Sequence, residues 1–427
     1  MLTRIEALNY RSLRYVSEQV APFQTLVGPN GSGKSTFLDV VGFLGDTLRV
    51  GPLKAILGDG LAVPQRAADP AHLCWMRQGT SFELAVEMDI PPTRLARLDN
   101  GKNKRARYEI RVEIGGENAE VRLAIETFWL IPASDASRAD DERNVFPQFR
   151  TGPPTIVRAP GKHTPSGWKK VISKNAEAGT DYFMSETTGW NNPFRLGPSR
   201  SALANLPEDE EKFPVATWAK RMLMEGVRKV VLSADAMRRP SPPGSPRHFL
   251  PDGSNLPWVV QGLQEKDPAR FNRWIEHFRT AIPDLKSVST VARPEDNHRY
   301  IVVEYANGLK APSWVVSDGT LRMLALTLLA YIPDIEGIYL IEEPENGIHP
   351  KAVETVYQSL SSVYGAQVLC ASHSPVVLGL AKPADLLCFA KDDAGATDIV
   401  RGDKHPRLRN WKGALDLGTL FAAGVLG

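Results

Sequence analysis

The chain has 427 residues, 42% of them hydrophobic, with 51 basic and 49 acidic side chains and a formal charge of +2. That length and composition suit two or three folding units with buried cores, and the near-neutral balance leaves any basic surface local. The three cysteines, Cys74, Cys370 and Cys388, are widely spaced with no C-x-x-C pair, which excludes a disulfide frame or a cysteine zinc site. No segment approaches the roughly 18 apolar residues of a membrane span, and Met1–Arg14 lacks a signal peptide's apolar run, so the expectation is a cytoplasmic protein without membrane attachment.

In chain order, Leu2–Tyr10 and Phe23–Val27 read as strands, the second running into a glycine-rich loop. Phe37, Leu38, Val40, Val41, Phe43 and Leu44 then have helical spacing. The alternating segments Phe82–Ile90, Tyr108–Ile114 and Val121–Leu130 predict an antiparallel sheet. From Pro132 to Pro214 periodicity vanishes among Pro, Gly, Ser, Asn and Trp, which predicts an irregular insertion. Helical spacing returns at Val215–Val227, before a strand at Lys229–Leu232. A helical pair is expected over Pro257–Gln264 and Ala269–Ile282, then a hairpin of Tyr300–Tyr305 and Ala311–Val316 around Asn307-Gly308. The remainder alternates helix and strand, the rhythm of a parallel α/β layer.

Four motifs carry chemistry. Gly28 to Thr36 (Gly-Pro-Asn-Gly-Ser-Gly-Lys-Ser-Thr) has P-loop spacing between a strand and a helix. Its glycines let backbone N–H groups face phosphate oxygens, Lys34 supplies a cation for the β- and γ-phosphates, and the Ser35 hydroxyl can ligate Mg²⁺. Ile338–Ile341 followed by Glu342, Glu343 and Pro344 describes a buried parallel strand that delivers two acids to its C-terminal edge, one for the Mg²⁺ shell and one to orient or deprotonate water. Val368–Ala371 likewise ends at Ser372-His373, where the imidazole can meet a γ-phosphate; a lone histidine at a strand end is also an ordinary surface residue. Ser317-Asp318-Gly319-Thr320 precedes the apolar run Leu321–Leu329 and reads either as a helix N-cap or as an anion site at a helix start.

Taken together, these elements with Asn9–Leu13, Arg322 and Glu345–Pro350 resemble the ABC-type ATPase heads of the RecF, SMC and OLD group, most of all the stand-alone AAA_21 ATPases of bacterial defence islands. The resemblance spans roughly residues 1–130 and 250–395. It implies an α/β P-loop NTPase fold: an ABC-type head with an antiparallel β lobe, a mixed or parallel core sheet and an irregular central insertion. The expected units are lobe I at 1–131, the insertion with connecting elements at 132–250, and lobe II at 251–427. The implied ligands are ATP and Mg²⁺. Residues Asn30, Gly31, Ser32, Gly33, Lys34, Ser35 and Thr36 would hold nucleotide, with Arg11 and Ser12 beside it. Ser35 and Glu342 would take the metal, Glu343 would activate water, and His373 would be the switch histidine. Ser317 and Gly319 would touch the γ-phosphate held by a second copy, so the active unit would be a homodimer or higher homo-oligomer. Glu342 stands where transporters and SMC proteins usually have Asp, which is similar to defence ATPases and compatible with metal binding; Asp318 stands where transporters have Gly, which counts against a transporter ATPase subunit. Gln78 is the candidate for the glutamine loop.

The function implied is a sensor or regulatory ATPase of antiviral defence with a separate effector, such as a nuclease. The alternatives are a RecF-like repair ATPase and an ATP-dependent scaffold with little turnover. Nucleic acid could meet the basic turn Gly101–Arg107 or the tail Arg401–Lys412, though a solvated hairpin tip and a polar tail explain them as well. Trp168, Tyr182, Phe183, Trp190 and Phe194 could stack on bases or form a small local core, and Leu417–Leu426 could dock on the head or a partner.

Overall fold

The computed structural model describes residues 1–98, 102–115, 120–133, 144–158, 164–176, 181–408 and 416–424. The chain begins with a hairpin, β1 (Leu2–Tyr10) and β2 (Leu13–Gln19), and β3 (Phe23–Val27) leads through the glycine loop into α1 (Lys34–Val50). α2 (Pro52–Leu57) has proline in its first turn, where a missing N–H costs nothing. The alternating segments form β4 (Ser81–Asp89), β5 (Asn103–Gly115) and β6 (Glu120–Pro132), with a short α3 (Pro92–Leu95) before β5.

The segment read as irregular supplies three further strands, β7 (Lys169–Asn175), β8 (Asp181–Met184) and β9 (Asn191–Phe194). There follow α4 (Pro214–Glu225), β10 (Val227–Val230), α5 (Ala234–Arg238), α6 (Leu256–Lys266), α7 (Pro268–Ala281), β11 (Leu285–Ala292), β12 (Arg299–Tyr305) and β13 (Lys310–Pro312). The last third holds α8 (Asp318–Leu328), β14 (Ile338–Glu342), α9 (Pro350–Ser361), β15 (Gln367–Ser372), α10 (Pro375–Leu380), β16 (Leu386–Lys391), β17 (Thr397–Arg401) and α11 (Leu417–Ala422).

The described strands form three sheets. An eight-stranded antiparallel sheet has the order β2-β1-β4-β5-β6-β7-β8-β9, a six-stranded sheet the order β10-β14-β15-β3-β16-β17, and a small one the order β11-β12-β13. In the six-stranded sheet only β17 runs antiparallel to its neighbour. Its central strands β14 and β15 are buried on both faces, as the apolar runs Ile338–Ile341 and Val368–Ala371 require. Leu340 and Leu369 enter one core with α1 and the eight-stranded sheet, while Tyr339, Ile341, Val368 and Cys370 enter a second core with α6–α9. α1 is thus enclosed, and each large side chain such as Phe37 or Phe43 removed from water contributes about 1.5–3 kcal/mol.

The outer face of the large sheet is charged instead. Arg107, counted at the sequence level in a basic turn, lies in strand β5 and is fully buried. It donates to Glu6, to Glu87 at 3.0 Å and to Glu109 at 2.6 Å. The N–H groups of Ile156 and Arg158 close over this network onto Glu83 at 2.6 Å and Glu109 at 2.7 Å. Arg107 is therefore unavailable to a nucleic acid, and Gly101, Arg409 and Lys412 of the other basic candidates lie outside the described residues.

The aromatic residues of the insertion pack locally: Trp168 meets Trp129 edge-on at 5.7 Å, and Phe183 stacks on Phe194 at 4.2 Å. At the other end of the chain, Leu417 of α11 is buried in the second core beside Val377 and Leu378 of α10, while Leu426 lies outside the described residues. No described helix is long and apolar enough to cross a membrane.

Candidate functional site

Strand register brings the motifs to one edge. Val27 pairs with Ser372 and Ala371 with Glu342, so β3, β15 and β14 end side by side and release the glycine loop, His373 and Glu343 at the same rim. Crevices beyond the carboxyl ends of parallel strands are where such sheets bind ligands.

The loop needs its glycines. Gly31 and Gly33 have φ of 75° and 106°, in the left-handed region. A Cβ on Gly33 would stand 2.2 Å from Thr397 Oγ1, and one on Gly28 2.3 Å from the Phe389 carbonyl oxygen. Lys34 Nζ donates to the carbonyls of Gly28 at 2.7 Å and Pro29 at 3.0 Å. Burial lowers the Lys34 ammonium from its ordinary value, against the opposing pull of Glu343, Glu342 and Glu345.

A cleft of about 410 Å³ is lined by Arg11, Ser12, Asn30–Thr36, Glu342, Glu343 and Ala371. Ser35 Oγ hydrogen-bonds Glu342 Oε2, and Lys229 Nζ lies 2.8 Å from Glu342 Oε1. Burial would raise the Glu342 carboxyl, but the bonds from Lys229 and Ser35 outweigh it and hold the group below the usual range. A hydroxyl and an ionised carboxylate in contact are hard oxygen donors suited to Mg²⁺.

Glu343 adopts φ 48°, a conformation that costs a non-glycine residue about 1–3 kcal/mol. It is pinned by its own N–H to the Ala371 carbonyl at 2.7 Å and by Asn346 Nδ2, which donates to Oε2. His373 Nδ1 sits 3.1 Å from Glu343 Oε1 without the alignment of a hydrogen bond. Ser372 Oγ donates to Glu345 Oε1 at 2.6 Å, which ties the two strand ends together.

Ser317 and Gly319 are not among the residues lining the cleft. Ser317 is exposed and caps α8, accepting from the Thr320 N–H at 3.2 Å, so within this chain the motif serves as a helix N-cap. Gly319 lies against the loop after β14, where a Cβ would come 2.5 Å from the Gly347 carbonyl. Gln78 ends an exposed 3-10 turn after Arg77 and does not line the cleft either. Among the described residues no cluster of three His, Cys, Asp or Glu could hold a metal alone.

Two residues were missed in the sequence. Thr397 Oγ1 lies 3.0 Å from Ser12 Oγ and 2.9 Å from the Ser32 carbonyl, joining β17 to the glycine loop and to the β1–β2 turn. The Thr397 hydroxyl is the donor toward both, sharing one proton between the Ser32 carbonyl and Ser12 Oγ. Lys229 reaches Glu342 from β10, which pairs in parallel with β14. No local motif marks either residue; only the sheet order does.

The AAA_21 family, described as "AAA domain, putative AbiEii toxin, Type IV TA system", matches residues 24–379. No curated protein matches the chain. Among solved structures, an SMC head bound to the C-winged helix domain of ScpA shares 15% identity with a TM-score of 0.52, covering 93% of this chain and 96% of that one. An SMC head with an extended coiled coil, bound to the C-terminal domain of ScpA from Pyrococcus furiosus, shares 12% identity with a TM-score of 0.47, over 93% and 95% of the two chains. The SMC head domain from Thermotoga maritima shares 12% with a TM-score of 0.41, over 94% and 98%. The first of these likenesses is one of fold.

Proposed function

The chain belongs to the AAA_21 family of AAA/ABC-type ATPases, and on that premise we propose that it binds ATP with Mg²⁺ and hydrolyses it to drive a conformational switch. The observation that carries the reading is the convergence of the glycine loop, Glu342 and Glu343 on one cleft, with Ser35 already against Glu342. Backbone N–H groups of Gly31 to Thr36 and the Lys34 ammonium hold the phosphates. Ser35 and Glu342 would hold the metal, which would supply charge neutralisation to the phosphate oxygens. Glu343 accepts the proton of the water whose oxygen attacks the γ-phosphorus as the bond to the β,γ-bridging oxygen breaks. Asn346 donates to one Glu343 oxygen and holds it in place, while His373 lies beside the other.

Ser317 and Gly319 complete this site on a second copy of the chain, so that two heads enclose two nucleotides. Their absence from the cleft's own lining supports that division. The cycle regulates a separate effector in bacterial antiviral defence; the family's toxin–antitoxin description supports a regulatory role over transport.

A steady-state phosphate-release assay tests the enzyme. Wild-type protein should turn over ATP only with Mg²⁺, and Glu343→Gln should lose at least about 100-fold while still binding ATP. Lys34→Ala should lose nucleotide binding itself. Wild-type protein that binds ATP but releases no phosphate would overturn hydrolysis and leave assembly on ATP as the function.

A further inference from the structure

A second cavity is joined to the nucleotide cleft by one ion pair, between its lining residue Lys229 and Glu342 of the cleft. It encloses about 700 Å³ between α1, the 57–66 loop and β10, the size of a pocket for a small ligand or a peptide side chain. Leu38 and Leu340 give it an apolar floor. Three apolar side chains stand exposed around its mouth: Leu57 at 37%, Leu61 at 94% and Val231 at 62%. Single exposed leucines need no explanation, but three converging on one opening mark a contact surface.

The loop that presents Leu61 is held rigidly. Asp59 Oδ1 accepts the N–H groups of Leu61, Ala62 and Val63 at 2.9, 2.9 and 2.8 Å. Arg66 fixes its far end to Asp39 at 2.8 Å and Asp46 at 2.7 Å.

The lining is also positive. Arg49, Arg66, Arg228 and Lys229 are four cations against the two carboxylates of Asp39 and Asp46. Arg49 and Arg66 are matched to those acids. Arg228 donates to the Glu336 carbonyl at 2.8 Å and lies over the Tyr339 ring, meeting no carboxylate among the described residues. Lys229 is 56% exposed, lines this cavity, and holds Glu342 at 2.8 Å on the other side.

We propose that this cavity is a docking pocket for a segment of a partner protein carrying an apolar side chain beside a carboxylate, and that Lys229 relays its occupancy to Glu342. Charge complementarity selects an acidic segment, and the exposed rim selects a macromolecular surface over a small molecule. A docked carboxylate competes with Glu342 for the Lys229 ammonium and leaves more negative charge facing Ser35. The relay rests on the ATPase reading; the docking does not.

Two fluorescein-labelled dodecapeptides serve as probes with the full-length protein, one alternating Leu with Glu and the other Leu with Lys. Fluorescence anisotropy without nucleotide should show saturable binding of the Leu/Glu peptide alone, weakened at least about tenfold by Leu61→Asp or Val231→Asp. Both rim residues are exposed, so these variants should fold and bind ATP as the wild type does. The Leu/Glu peptide should then lower the Mg²⁺ concentration for half-maximal ATP hydrolysis by about 2–5-fold, the range of one exposed ion pair, and not in Lys229→Met. Equal binding of both peptides, no saturation up to about 1 mM, or indifference to the rim variants would overturn the pocket. A concentration-dependent mass abolished by Leu61→Asp would reassign it to a second copy of the chain. Loss of ATPase with peptide binding intact would count against the proposed function and leave the pocket standing.

Discussion

His405 is wholly buried, edge-on to Phe146 at 5.1 Å, and its Nε2 has no hydrogen-bond partner among the described residues. Burial, with Arg407 adding to it, pushes the imidazole down to about 4. The unfolded chain takes its proton near pH 6.5 and the folded one only near 4. Stability from this residue is therefore full above the unfolded value and is lost as pH falls through the window between them. From pH 7.5 to 5 the loss should be about 2 kcal/mol, visible in denaturant melts, and His405→Leu should not show that part of it. Single residues were legible in the sequence where chemistry and local spacing coincide: Lys34, Ser35, Glu342 and Glu343 all reach one cleft as expected. Thr397 and Lys229 were not legible, because each acquires its place only when a distant strand is laid beside the motif.

Among elements, the glycine loop and β17 are interlocked. Gly33→Ala meets two separate obstacles, a left-handed φ of 106° and Thr397 Oγ1 at 2.2 Å from the new Cβ. It should cost roughly 1–3 kcal/mol from backbone strain alone, with more from the clash. Adding Thr397→Ala should restore only the clash part, as a thermal unfolding series of the two single variants and the double variant would reveal.

The same scale explains what pattern reading could and could not find. β3, β14 and β15 are short apolar runs ending in motif residues, and β4–β6 alternate over long stretches, so both kinds were evident. β7 is Lys-Lys-Val-Ile-Ser-Lys-Asn: Val171 and Ile172 enter the apolar core, and Lys174 can be buried beside them because the Gly197 and Arg200 carbonyls accept from it at 3.2 and 2.5 Å. β2 and β11 mix polar and apolar residues in the same way and escaped notice. A strand whose polar side chains find partners from another part of the chain leaves no periodic mark.

For the whole molecule, the proposed pairing of heads yields a direct expectation. Glu343→Gln should hold ATP without splitting it and so accumulate a species of twice the monomer mass or more. Light scattering that gives one mass with and without ATP would refute the pairing.

The place of β3 has a further bearing, on how the chain is made. β3 sits between β15 and β16, and the nearer of these begins at Gln367, 340 residues after Val27. A ribosome adding residues at roughly 5–20 per second needs roughly 20–70 s to cover that distance. Throughout that time β3 and its glycine loop have left the ribosome with neither neighbouring strand yet synthesised, although strands β1, β2 and β4–β9 can already pair. The binding loop is thus among the first parts of the protein to be made and among the last to take shape. A nascent chain halted before Gln367 should carry an ordered antiparallel sheet and no capacity to hold a nucleotide.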